Sequence, residues 1–266
     1  SQTKEGDPIN LQTGEEIQDR VDLEIPARNG LRFRLARRYR SQFVYDGVLG
    51  YGWTHDYLMR LQVGAGGARV AIQTPQSFLG NFVRNPDSTY RSPEGMYSTL
   101  RQLPDGSFEL LDPDGLKHCF ASDGLLECQE DRWGNRLTFR NNEFGHIASV
   151  IDTFGREVEF FYEDLPSAFF PGVLVKRLVR VRDFAGREVK YTYDARGDLI
   201  EARTPVVTGT STGNDFPEGR TERFAYSHGF AQAELNHNLI AYTSPEEVAK
   251  GGPPRVTWTY GTDPAD

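Results

Sequence analysis

The sequence predicts an all-β protein, built as a continuous antiparallel meander of hairpins with at most short helices. Three observations predict it. First, a turn of the form Asp-x-x-Gly, then Arg or Asn, then an alternating apolar run, recurs. The copies are Asp131, Gly134 and Asn135 ahead of Leu137 and Phe139; Asp152, Gly155 and Arg156 ahead of Val158, Phe160 and Tyr162; and Asp183, Gly186 and Arg187 ahead of Val189, Tyr191 and Tyr193. A period of two is that of a strand with one buried face, and the glycine supplies the positive φ of a tight turn. Second, turn signals arrive roughly every ten residues from Asp105 onward, the rhythm of hairpin after hairpin. Third, one short stretch alone reads as a helix.

In chain order, residues 1–100 form a distinct leader. It alternates at Val21, Leu23 and Ile25 and again at Leu31, Phe33 and Leu35. The charges Arg28, Arg32, Arg34, Arg37, Arg38 and Arg40 are read as the cationic outer face of that second strand. Gly47 to Tyr57 is glycine-rich and aromatic, a corner with Trp53 as a core plug. Residues 101–266 are the hairpin array. Asp112, Gly115 and Phe120 make a degenerate early copy, and Gly219, Phe224 and Tyr226 suggest a late one. Irregular loops are expected at about 164–172 and 204–220. A short helix is expected at about 245–250, with Ser244 at the N-cap, Pro245 first, acids next and Gly251 after its end.

Composition excludes several classes. A net charge of -8 argues against a nucleic-acid groove, where Lys and Arg concentrate to neutralise phosphates. No apolar run reaches the ~18 residues of a membrane-spanning helix. Aromatics at 12% rule out a disordered tail. The start lacks both an apolar signal region and an initiating Met, which points to a piece or processed product of something longer.

Two motif sets resemble one known family. Gly6-Asp7-Pro8-Ile9-Asn10, Thr13-Gly14, Asp22-Leu23-Glu24-Ile25-Pro26, Arg38-Tyr39-Arg40-Ser41 and Leu49-Gly50-Tyr51-Gly52-Trp53-Thr54-His55 resemble the leader domain of Rhs-type proteins. The unit Gly186, Arg187, Tyr191, Tyr193, Asp194, Gly197 and Leu199 is similar to the tyrosine–aspartate (YD, or RHS) repeat. That resemblance implies a β-ribbon spiralling into part of a curved, hollow shell, a cocoon that holds a C-terminal toxin until delivery. Partners would be the remaining repeats and the toxin of the same polypeptide, with secretion spike proteins and a chaperone. The segment itself would be non-catalytic, with no cofactor, no metal, no nucleic acid and no membrane insertion. It would be made in the cytoplasm and delivered by a secretion apparatus, commonly type VI, with display on the cell surface as the other route. The run Asp112-Pro113-Asp114-Gly115-Leu116 looks like the family's toxin-boundary sequence, but Lys117-His118-Cys119-Phe120 follows it and it reads as a turn.

Other candidate chemistry is weaker. Gly209-Thr210-Ser211-Thr212-Gly213 matches a nucleophile pattern that needs a strand, a strained turn and a helix, yet it lies in a polar loop. The histidines His55, His118, His146, His228 and His237 show no zinc spacing, and His55-Asp56 lacks a nearby nucleophile. The acids follow turns, without the spacing of a calcium loop. If Asp123-Gly124 is a two-residue turn, Cys119 falls opposite Cys128 at a non-hydrogen-bonded pair, where a disulfide is geometrically allowed. The scarcity of cysteine favours two buried free thiols instead. The competing functional readings are an adhesin or carbohydrate-binding array and a glycosidase with two carboxylates.

Overall fold

The computed structural model describes residues 14–27, 30–75, 78–87, 89–211, 213 and 215–261. The motif residues Gly6 to Asn10 and Thr13, together with Arg28 and Thr212, lie outside the described residues. The protein is all-β, as its patterning predicts. Strands Ile17–Ile25, Phe33–Arg40 and Trp53–His55 form one sheet, Asp46–Gly47 and Gly50–Tyr51 a ribbon, and Arg60–Val63, Arg69–Gln73, Phe78–Arg84 and Tyr90–Arg91 a four-stranded sheet. From Thr99 onward the chain is a single 13-stranded ladder in which every strand neighbours the next in sequence. It starts at Thr99–Gln102 and ends at Val256–Thr257. One α-helix, Pro245–Lys250, interrupts it.

The helix sits where its capping signals put it, and Gly251 closes it at φ 66°. Ser244 behaves differently from expectation: its hydroxyl donates to Glu246 and Glu247 instead of accepting a backbone N–H. The first expected loop begins only at Ser167, because the strand Glu157–Pro166 runs further than predicted. The second spans Thr204 to Arg220, between Leu199–Arg203 and Thr221–Tyr226, and is pinched by a bridge from Val207 to Phe216.

The chain forms two compact units that do not follow chain order. One comprises Glu24–Leu35 and His55–Phe160. Its core joins Leu61, Val70, Ile72 and Phe82 of the four-stranded sheet with Leu100, Leu110, Phe120 and Leu137 of the ladder, all buried. Phe33, Tyr57 and Phe139 stack within it at 5.5 and 5.1 Å between ring centroids. The other comprises the described residues up to Leu23, Ala36–Thr54 and the described residues from Phe161. Trp53, Tyr39, Leu178, Val189, Leu199 and Leu239 fill its core.

The leader departs from its predicted pattern in one instructive way. Phe33, Leu35, Arg37 and Tyr39 all face inward, so Arg37 is buried rather than part of a cationic outer face. Across the sheet Val21 is exposed while Asp22 is buried.

Candidate functional site

The repeat turns are the chain's most regular feature. Each of eight hairpins closes through the same pair of backbone bonds, illustrated by Asp131 N–H to Asn135 O at 3.0 Å and Gly134 N–H to Asp131 O at 3.0 Å. This is a three-residue loop: a type I turn followed by a left-handed residue that opens a bulge. Gly134, Gly155, Gly186 and Gly197 hold φ of 80°, 76°, 78° and 84°.

Aspartate side chains lock these turns. Oδ1 of Asp152 accepts the backbone N–H groups of Phe154 and Arg156, and its Oδ2 accepts Nε of Arg156 at 2.7 Å. Asp183 does the same for Ala185 and Arg187, and Asp131 for Trp133 and Asn135. The Arg or Asn of the sequence signature is therefore the side chain that occupies the aspartate's second oxygen. In Asp194 the backbone bonds to Arg196 and Asp198 recur. The motif 112–116 is one of these turns, closed by Asp112 N–H to Leu116 O at 2.8 Å.

The same signature residues also grip leader segments within their own unit. Leu31 N–H donates to Asp131 Oδ2 at 3.0 Å, and Arg156 Nη2 donates to Pro26 O at 2.9 Å. In the other unit the Tyr191 hydroxyl donates to Asp22 Oδ2 at 2.7 Å. Tyr193 donates to Leu178 O at 2.6 Å and lies 3.1 Å from Val48 O. Both carboxylate oxygens of Asp22 also accept Arg37 Nε, at 3.0 and 2.8 Å. Arg37 also pairs with Glu222, whose other oxygen accepts the Tyr242 hydroxyl. The guanidinium lies 5.0 Å from the Trp53 ring and 5.1 Å from Phe224, so a buried cation is met by two carboxylates and two aromatic faces. Burial pushes the Asp22 carboxyl above its ordinary value, against the opposing pull of Arg37, and pushes the Tyr191 hydroxyl well above 10. A second buried cation, Arg177, pairs with Asp46 at 2.6 Å and donates to the carbonyls of Gly47 and Pro166.

The catalytic candidates are occupied otherwise. His55 is buried, its Nδ1 accepts the Tyr57 backbone N–H at 3.2 Å, and burial lowers its pKa to about 4 with help from His146. Asp56 pairs with Arg34 at 2.7 Å. Ser211 is exposed in the 204–220 loop, and Asp215 caps Gly209 and Thr210 there; a strand, not a helix, follows. A cavity of about 660 Å³ lies beside Phe161, Tyr162 and Tyr193, and its cations Arg180 and Lys190 both pair with Glu188.

Cys119 and Cys128 stand opposite each other and are joined by a disulfide, with Cα atoms 4.8 Å apart, in place of the two free thiols favoured from composition. The turn between them is not the two-residue one. Ala121 N–H bonds Leu125 O, enclosing three residues, and a bulge at Glu127 restores the pairing of the cysteines.

One assembly has no signal in the sequence. Asp198, His228 and His237 bring ligand atoms within 4.8 Å of one another. His228 and His237 are nine residues apart on an irregular loop, and Asp198 lies thirty residues before the first of them, so no motif connects them.

Residues 6–77 match the family model described as a domain of unknown function (DUF6531). Over 271 residues, 97% of this chain, the sequence is 24% identical to the double-stranded DNA deaminase toxin A of Burkholderia cenocepacia (strain H111). The match takes in 17% of that protein. Among solved structures, TcdB2-TccC3-Cdc42 superposes with a TM-score of 0.48 at 13% identity, over 80% of this chain and 16% of that one. TcdB2-TccC3-TEV superposes with a TM-score of 0.49 at 13% identity, over 84% and 16%. The chain thus spans 17% of the curated relative and 16% of each solved chain that it matches.

Proposed function

We propose that this chain is a non-catalytic segment of the wall of an Rhs/YD-repeat toxin, part of a β-cocoon that encloses and protects a C-terminal toxin before delivery to a target cell. One observation carries the reading: a 13-stranded ladder laid down in chain order, whose signature residues are spent on closing turns and gripping the leader. A stack of hairpins buries a continuous face that no single hairpin could bury. The leader-span match and the toxin similarity across 97% of the chain support it. On this reading the partners are further repeats and the toxin of the same polypeptide, with a secretion spike and a chaperone in delivery. The protein would leave the bacterial cell through a secretion apparatus.

The test uses the full-length protein. Limited proteolysis should spare the C-terminal toxin segment in the intact protein and degrade it once residues 1–100 are deleted. Equal sensitivity of the toxin in both proteins would overturn the enclosing role.

A second reading, a surface-binding array, is favoured by one observation. Trp133, Phe144, Phe154 and Phe184 stand exposed at turn tips. Binding of the chain to a glycan panel, abolished when those four residues are changed to Ser, would establish it in place of the wall.

A further inference from the structure

The hairpin turn 194–198 and the loop 227–238 meet at three side chains that neither element needs for its own closure. Asp198 ends the turn with its carboxylate fully buried. Both of its oxygens lie 2.9 Å from Nδ1 of His237. His228 opens the loop, with Nδ1 4.0 Å from Asp198 Oδ2 and Nε2 3.9 Å from Asp194 Oδ2. The loop's other polar groups are tied to one another. The Ser227 hydroxyl donates to Leu235 O, Asn238 Nδ2 to Glu234 O, and the Asn236 amide bonds both ways with Phe230. The two imidazoles are thus held in place by a loop that satisfies itself.

His237 is also the one non-glycine among the described residues with a left-handed backbone, at φ 64°. Strain of this kind persists where the surroundings over-determine it, and it gathers at ligand clamps. Here the His237 N–H is held by Ser227 O at 2.9 Å, and its ring stacks on Tyr51 at 5.1 Å. The strain aims the imidazole at Asp198 and at the facing ring of His228, 5.9 Å away and nearly perpendicular.

We propose that Asp198, His228 and His237 form a three-ligand binding site for a divalent transition metal of the zinc type. Two imidazoles and carboxylate oxygens are the donor set such an ion takes, at roughly 2.0–2.2 Å each in a tetrahedron. Donors 2.0–2.2 Å from one ion in a tetrahedron stand roughly 3.3–3.6 Å apart, so the partly exposed His228 ring must turn in from 4.0 Å and the 2.9 Å pair of His237 with Asp198 must open slightly. Oδ1 of Asp194 caps its own turn, and its Oδ2 stands 3.9 Å from Nε2 of His228, the nitrogen not turned toward Asp198, as an outer-shell partner of that ring. Three protein donors leave a fourth position to water, and the bound ion would pin the loop to the ladder.

The test titrates the untagged 266-residue chain with Zn²⁺ against a chromophoric chelator, and repeats it with Co²⁺, whose visible bands report tetrahedral nitrogen and oxygen ligands. Two variants remove ligands: His228→Gln, on the partly exposed ring, leaves the buried Asp198–His237 pair intact and carries the test if the second, His237→Gly, which suits the left-handed backbone but strands Asp198, fails to fold. His118→Gln is the control, removing a His–Asp pair elsewhere. The expected result is one equivalent bound at micromolar affinity or tighter, weakened about 100-fold or more by either ligand variant and unchanged by the control, since even outer-shell changes cost 10–100-fold. Added Zn²⁺ should raise the melting temperature of the parent chain and the control only. No stoichiometric binding, or an affinity that survives both ligand variants, would overturn the site.

Discussion

Two glycines with the same backbone offer a controlled test of how the ladder meets the leader. Gly124 and Gly134 each close a three-residue hairpin loop, at φ 85° and 80°. Their surroundings differ. A methyl group on Gly134 would meet nothing within 4 Å. On Gly124 it would overlap the carbonyl oxygen of Leu61 and lie 2.8 Å from the carbonyl carbon. Gly124 O also accepts the Leu61 N–H at 2.9 Å, so the strand Arg60–Val63 cannot simply step aside. Replacing either glycine by alanine imposes left-handed strain of about 1–2 kcal/mol, partly offset by about 0.4–1 kcal/mol from a less flexible unfolded chain. Gly134→Ala should therefore cost about 1 kcal/mol. Gly124→Ala adds a lost backbone hydrogen bond, about 0.5–1.5 kcal/mol, and overpacking of about 1–3 kcal/mol. Its total should be about 3–5 kcal/mol. Urea unfolding of the chain, followed by tryptophan fluorescence at unchanged m-value, measures both. If the two variants lose the same free energy, close packing against Leu61 is not what reserves position 124 for glycine.

Two further outcomes follow from the buried charges. Arg37→Met should cost about 3–5 kcal/mol in urea unfolding because it strands the buried Asp22 carboxylate and leaves Glu222 with Arg20 as its cation, and adding Asp22→Asn should recover much of the loss; a double variant no better than the single would show that the charges are not the cause. His55 titrates at about 4 in the folded chain against a reference of 6.5. Because the folded value is the lower, the stability gained by keeping the ring neutral is complete above pH 6.5 and drains away as pH falls toward 4, by about 3 kcal/mol. His55→Gln should flatten stability over that window, and an unchanged acid slope would assign it to other groups.

The ladder was legible because its turns repeat a chemistry: each Asp-x-x-Gly announces its own closing bonds. The buried charges were legible in part. Arg37 shares the parity of Phe33 and Leu35, so strict alternation places it inside, and only the habit of reading arginine as surface put it outside. Asp22 shows no such parity, since its inward position answers a cation from the neighbouring strand. Asp123-Gly124 misled because the dipeptide fits a two-residue turn and the end of a three-residue loop equally well. Asp198, His228 and His237 were illegible in principle, because Asp198 ends a repeat turn like any other and the 227–238 loop that carries the two imidazoles to it has no periodic pattern.

The bulges explain why alternation fails on three strands of the ladder. Glu127, Ala148 and Ile200 each stand three residues after a turn glycine and have no partner across the ladder. Each bulge changes the inward positions of its strand from a spacing of two to three, so that Leu126 is followed inward by Gln129, Ile147 by Val150, and Leu199 by Ala202. The pattern Gly-x-Leu/Ile-x-x-Gln/Val/Ala is thus the sequence image of a bulge, and a one-residue deletion is its sharpest probe. Removing Ala148 forces a regular register or a slip, and either moves Val150 from the core. Exposing a buried valine costs about 1.5–3 kcal/mol. Deletion of Ala148 should therefore destabilise the chain by at least about 1.5 kcal/mol in urea unfolding, while Ala148→Ser stays within about 0.5 kcal/mol. Were the deletion no worse than the substitution, the extra residue would be a tolerated irregularity, and the spacing of three would need another cause.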